Sequence, residues 1–286
     1  MQFLYTLKNQ GFAGHPGALV LIPAGFNLQA QQFSIVVYIH GFHNCIENCV
    51  LPTISGCNCT AGAQHRDAYS LLDQFAEASA NSSNTFQLQT IFVAIEVAYD
   101  QASSDPGRWA TPGLFAAFLD ELLSQPYLGQ YLGPNRTAAS SINSLRIFSH
   151  SGGYQVAADL FAVGALPDLV LEIVLLDSLY GATAIFNNYV GDALGRDRLG
   201  TGPGQVKFQS IYTDNGGTAA NNVQMAQNLQ TLLAAKGQSS LLLFDQTFDT
   251  LSPTQYASYP LLFKRTDLSH NDVPRYFFQQ FLQWSN

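Results

Sequence analysis

Apolar positions along the chain follow two alternating rhythms. Continuous, β-branched runs come first: "FSIVVYIHG" (33–41) and "LQTIFVAIEVAY" (88–99) carry too few polar residues for a half-exposed strand and read as strands buried on both faces. "SLRIFS" (144–149), "LVLEIVLLD" (169–177) and "VKFQSIYT" (206–213) repeat the pattern, and "SSLLLF" and "YPLLFKRT" close it. Between them the spacing lengthens to helical intervals, in "DAYSLLDQFAEASA" (67–80), "TPGLFAAFLDELLSQ" (111–125) and "GYQVAADLFAVG" (153–164). A further helix, "AANNVQMAQNLQTLLAAKG", stops at Gly237, and "VPRYFFQQFLQW" ends the chain. Strands alternating with helices imply βαβ units: an α/β protein with a mostly parallel central sheet covered on both faces. The Gly- and Asn-rich segment 181–205 is only weakly periodic and reads as a short cap over the sheet edge, within a single domain spanning 1–286.

Composition narrows the function. The chain has 286 residues, 47% hydrophobic and 11% charged, enough apolar material for one large core. Its formal net charge of −8 and the absence of a basic stripe argue against a nucleic-acid partner. No apolar run approaches the roughly 18 residues of a membrane span. The N-terminal stretch does not read as a signal peptide. All four cysteines, Cys45, Cys49, Cys57 and Cys59, fall within one short loop. Their spacing does not match paired C-x-x-C zinc sites, so two disulfides are favoured, and with them a secreted or periplasmic location. Three Asn-x-Ser/Thr triplets, at Asn58, Asn81 and Asn135, fit that location.

Chemistry concentrates where the strand 144–149 breaks into Ser-His-Ser-Gly-Gly with no ordinary loop before the next helix. Ligands of open α/β sheets bind at the C-terminal ends of strands. A sharp turn there, flanked by the small Ser149 and Gly153, presents Ser151 clear of the sheet, beside the bare amides of a helix start. A serine nucleophile needs a base, and only His270 of the six histidines lies C-terminal to it. His40-Gly41-Phe42, at the end of an early strand, offers a second backbone donor. An acid is expected between Ser151 and His270, and both Asp177 and Asp214 end strands.

These features resemble the α/β-hydrolase superfamily: the His40-Gly41 loop, "SHSGG" as a variant of the G-x-S-x-G elbow, and the order nucleophile, acid, histidine. The resemblance covers about residues 33–286 and departs from the pattern at Ser149, where glycine is usual. It implies Ser151 as nucleophile, His270 as base, and an oxyanion hole from the amides of Gly152 and Phe42. The acid stays open between Asp177 and Asp214, with Asp177 favoured. Tyr180 and Phe42 are expected to contact substrate, and Trp109 to line the pocket wall. The implied activity is hydrolysis of small or polymeric carboxyl esters through an acyl-enzyme, without metal or cofactor. The same triad would serve an amidase, peptidase or thioesterase, and a non-catalytic binding protein is the third reading. Neither the natural substrate nor the oligomeric state is readable from the sequence.

Overall fold

A computed structural model describes residues 1–12, 17–27, 31–51, 69–80, 89–133, 136 and 138–284. The strands are β1 (Gln2–Tyr5), β2 (Ala18–Leu21), β3 (Phe33–Ile39), β4 (Thr90–Ile95), β5 (Ile142–His150), β6 (Val170–Leu176), β7 (Lys207–Thr213), β8 (Leu242–Asp245) and β9 (Leu261–Thr266). They form one sheet in the order β1-β2-β4-β3-β5-β6-β7-β9-β8. From β4 to β8 every pairing is parallel. The first two strands add an antiparallel edge. The long runs expected as strands all appear. β1 and β2 were not anticipated, because neither exceeds four residues and β1 alternates between exposed and half-buried positions.

The helices are α1 (Ile46–Val50), α2 (Leu71–Ala80), α3 (Leu114–Leu123), α4 (Pro126–Leu132), α5 (Tyr154–Ala162), α6 (Thr183–Gly195), α7 (Ala219–Ala235), α8 (Pro253–Ser258) and α9 (Asp272–Trp284). The short α1, α4 and α8 lack enough turns to show a period. α7 stops where Gly237 adopts a left-handed φ of 69°, as its sequence forecast. Segment 181–205 contains α6, which buries Phe186, Tyr189, Val190, Ala193 and Leu194 and supplies the crossover from β6 to β7. Among the described residues no helix is long and apolar enough to cross a membrane.

Two apolar cores lie on opposite faces of the sheet. The alternation of a strand feeds both: in β3, Ile35, Val37 and Ile39 enter one core, Val36 and Tyr38 the other. On the second face α9 packs along α2, anchored by Phe278. Its ring meets those of Tyr38, Phe92 and Phe148 at centroid distances of 5.9, 5.7 and 5.0 Å. Truncating such a residue to alanine costs about 3–5 kcal/mol. This anchor fixes the start of α9, and with it His270 just upstream. Chain order reverses around β3: β4 lies on one side and β5 on the other. That switch point is where the connections diverge and leave a crevice, and the ends of β3 and β5 carry His40-Gly41 and Ser151.

Candidate functional site

β5 delivers Ser151 on a strained turn. The residue has a left-handed φ of 52°, and residues 151–153 make one tight turn before α5 begins. A non-glycine residue held there stores on the order of 1–3 kcal/mol and needs its surroundings to hold it. Small neighbours make room. A Cβ on Gly153 would lie 2.9 Å from the His40 carbonyl oxygen, and one on Gly41 would lie 2.5 Å from the Ser151 Cβ and 3.0 Å from its Oγ. Hydroxyls brace the turn. Ser149 Oγ donates to Ser178 Oγ at 2.9 Å, and Ser178 Oγ donates to the Ser151 carbonyl at 2.7 Å. Ser149, two residues before the turn, is fully buried and begins this relay.

Asp177 and His270 meet at this end of the sheet. His270 Nδ1 lies 2.6 Å from Asp177 Oδ2. The fully buried carboxylate also accepts from Thr213 N at 3.1 Å, Thr213 Oγ1 at 2.8 Å and Thr218 Oγ1. Burial works against its charge, but the hydrogen bonds from His270, Thr218 and Thr213 outweigh it and hold the acid below the ordinary carboxylate range. An ionised carboxylate only accepts, so Nδ1 bears a proton, and in the neutral ring Nε2 keeps a lone pair. Such a lone pair can take a proton from a hydroxyl. Asp214 does not join them; it is exposed and gripped by Arg265 through Nε at 2.8 Å and through Nη2.

The segment "NGGT" after β7 wraps this carboxylate. A Cβ on Gly216 would lie 1.9 Å from Asp177 Oδ2, so only glycine fits. Thr213, Gly216, Thr218 and Ser178 escaped the sequence reading. The available signal was the pair of threonines flanking the two glycines, too common a pattern to single out.

His150 diverges from Ser151, as neighbours on a turn do, yet it does not leave the site. It lies beneath His270, with ring centroids 4.6 Å apart and planes inclined by 33°. Its Nε2–H donates to the His270 carbonyl at 3.1 Å, and its Nδ1 lies 3.5 Å from the Tyr69 hydroxyl. Burial, reinforced by the neighbouring His270, pushes its pKa down to about 3. It is therefore a neutral ring that holds the backbone of the histidine loop.

Tyr180 joins Ser151 to His270. Its hydroxyl is a hydrogen-bond partner of the Ser151 side chain, and its ring stands edge-on to His270 at 6.3 Å and 82°. Burial, then the charge of Asp177, push its pKa up to about 12, so it stays a neutral phenol. Phe42 is 44% exposed and lays its ring against Gly152, where an added Cβ would sit 2.2 Å from ring carbons. Trp109 is a correction. Its side chain is wholly buried against Phe115 and Phe118, with its indole N–H donating to the Glu96 carbonyl at 3.1 Å. An aromatic residue just ahead of a helix went into packing.

Cys45 and Cys49 are buried. Cys57 and Cys59 lie outside the described residues, as do Asn58, Asn81 and Asn135.

No protein-family profile and no curated protein matches the chain. Solved structures do. A ferulic acid esterase aligns over 100% of this chain and 96% of its own with a TM-score of 0.53 and 12% identity. The siderophore hydrolase EstA from Aspergillus nidulans aligns over 99% and 93% with a TM-score of 0.48 and 14% identity.

Proposed function

We infer that this chain, whose fold is that of the α/β-hydrolases, is a serine hydrolase of carboxyl esters. Ser151 is the nucleophile, His270 the base and Asp177 the acid. The observation that carries the reading is the 2.6 Å contact between His270 Nδ1 and the buried Asp177, at the same strand ends as a serine held at positive φ. Asp214 has its own partner in Arg265 and no part in the reaction. The likeness to a ferulic acid esterase supports the ester class.

In the reaction, Ser151 Oγ forms a bond to the ester carbonyl carbon while its proton passes to His270 Nε2. The amides of Gly152 and Phe42 receive the negative charge that develops on the carbonyl oxygen. Collapse breaks the bond to the alcohol, which leaves with the proton from His270. Water then enters by the same route and releases the acid. Asp177 keeps the proton on Nδ1 and stabilises the transient imidazolium. The half-exposed Ser151, Tyr180 and His270 and the exposed Phe42 favour a shallow cleft with an aromatic rim.

A fluorophosphonate probe and a series of p-nitrophenyl esters test this. Wild type should label and turn over, and Ser151→Ala should do neither. A folded wild type that does neither would refute the assignment. The clustered cysteines fit work in an oxidising compartment as two disulfides. Unfolding the unreduced protein should then expose no reactive thiol, and thiols appearing in the described pair would end that part.

A further inference from the structure

Behind the Ser151 turn lies a second acid–histidine pair that the reaction above does not use. His40 follows β3 and Glu96 follows β4, and the two side chains are 0% and 1% exposed. His40 Nε2 is 2.5 Å from Glu96 Oε1, and His40 Nδ1 is 2.8 Å from the Gly41 carbonyl oxygen. The amide of Val97 points at the pair, 3.2 Å from both His40 Nε2 and Glu96 Oε1, and the amide of Ile46 donates to Glu96 Oε2 at 3.2 Å.

The direction of these bonds follows from what each atom can do. A carbonyl oxygen only accepts, so Nδ1 carries a proton and donates it to Gly41. Nε2 faces the Glu96 carboxylate across 2.5 Å, and wherever the proton of that contact sits, the Nδ1 proton stays committed to Gly41. The Gly41 carbonyl belongs to the same peptide plane as the Phe42 N–H. In a trans peptide the two point in opposite directions. Pulling the carbonyl toward His40, into the protein, turns the Phe42 N–H the other way. Gly41 itself abuts Ser151, since a Cβ there would meet Ser151 Oγ at 3.0 Å. This peptide therefore lies beside the serine, with its orientation set from behind.

We propose that His40 and Glu96 are positioning residues of the oxyanion hole: Glu96 holds His40, and His40 fixes the Gly41–Phe42 peptide so that the Phe42 amide faces the carbonyl oxygen of the substrate. The inference rests on the serine-hydrolase reading. A hydrogen bond to the carbonyl end of a peptide also strengthens its N–H as a donor, because linked hydrogen bonds polarise one another. The pair therefore both aims and strengthens the amide, without touching substrate. Oxyanion donors act at the transition state, so the effect belongs in kcat rather than in KM.

Two double variants separate aiming from mere support. In His40→Asn/Glu96→Gln the asparagine amide takes the place of Nδ1 and can still donate to Gly41. In His40→Leu/Glu96→Gln it cannot. Each is assayed on an oxoester and on the matching thionoester, whose sulfur is a poor hydrogen-bond acceptor. The leucine pair should lose about 10²-fold in kcat on the oxoester with KM little changed. Its oxoester-to-thionoester rate ratio should fall with it. The asparagine pair should recover to within about tenfold of wild type, because the donor to Gly41 is replaced in kind. A leucine pair that keeps the wild-type rate ratio overturns the proposal, since general loosening slows both substrates alike. Wild type supplies a test that needs no variant to fold. In 15N-histidine-labelled protein the His40 Nδ1–H resonance should move when a trifluoromethyl ketone adduct forms on Ser151, and a resonance that stays put overturns the proposal. A wild type that neither labels nor turns over would sink the hydrolase reading itself, which separates the two failures.

Discussion

The buried His150 makes a quantitative forecast about acid. Its pKa lies near 3 in the folded protein, against about 6.5 for an unperturbed histidine. Below pH 6.5 the unfolded chain binds a proton at this residue and the folded chain does not. The unfolded state is then favoured, and stability falls as pH falls, from about 6.5 until the native ring itself protonates near 3. Applying this linkage, His150 alone removes about 1 kcal/mol by pH 5.5 and about 3 kcal/mol by pH 4.5, relative to pH 7.5. His150→Phe keeps a ring against His270 and removes the titration. It also loses the bond to the His270 carbonyl, a pH-independent cost of about 1 kcal/mol. Urea unfolding of both proteins at pH 7.5, 5.5 and 4.5 measures the difference. The stability gap between wild type and variant should close as pH falls and then reverse. Asp177 moves stability in the same sense but outside this window, because its folded pKa lies below an already low ordinary value. Curves that stay parallel would mean that His150 is hydrated or charged in the folded protein, and the account of the histidine stack would fail.

The other forecasts concern the site directly. Asp177→Asn should lower kcat on p-nitrophenyl esters by about 10⁴-fold, as loss of the orienting acid does in serine proteases, whereas Asp214→Asn should leave kcat unchanged. Equal effects would reopen the choice of acid. Gly216→Ala should force its methyl group into Asp177, lowering kcat and costing about 1–3 kcal/mol in thermal or urea unfolding. Wild-type values would mean that the loop shifts freely. Ser178→Ala leaves the Ser151 carbonyl without its buried donor, so about 1–3 kcal/mol of stability should go, together with part of the fluorophosphonate labelling rate. An unchanged labelling rate would show that the turn holds without the brace.

What the sequence revealed and what it hid follow the same physics. β3, β4 and β6 were legible because a strand covered on both faces is largely apolar, and such runs are conspicuous. β1 and β2 escaped because four residues at an edge need no such run. Ser151 and His270 stood out as chemistry in places where packing alone would not put it. The choice between Asp177 and Asp214 was not decidable, since both end parallel strands and the difference lies in long-range partners. Thr213, Thr218 and His270 converge on Asp177, whereas Arg265 reaches Asp214. Trp109 misled because local sequence shows an aromatic residue but not the Phe115 and Phe118 rings that enclose it.

Ser149 shows how a departure from a motif can be absorbed locally. The usual glycine contributes only its smallness at that position. Serine adds a hydroxyl at a fully buried point, which would cost about 1–3 kcal/mol if unpaired. Here the hydroxyl is paired with Ser178, which in turn holds the carbonyl of Ser151. Ser178 directly follows Asp177, so the brace on the serine turn and the carboxylate beneath His270 lie on adjacent residues at the end of β6. A shift of that strand end displaces both together. The serine relay therefore ties the position of Ser151 to that of Asp177, and Ser149→Gly should loosen that tie while leaving the turn enough room to form.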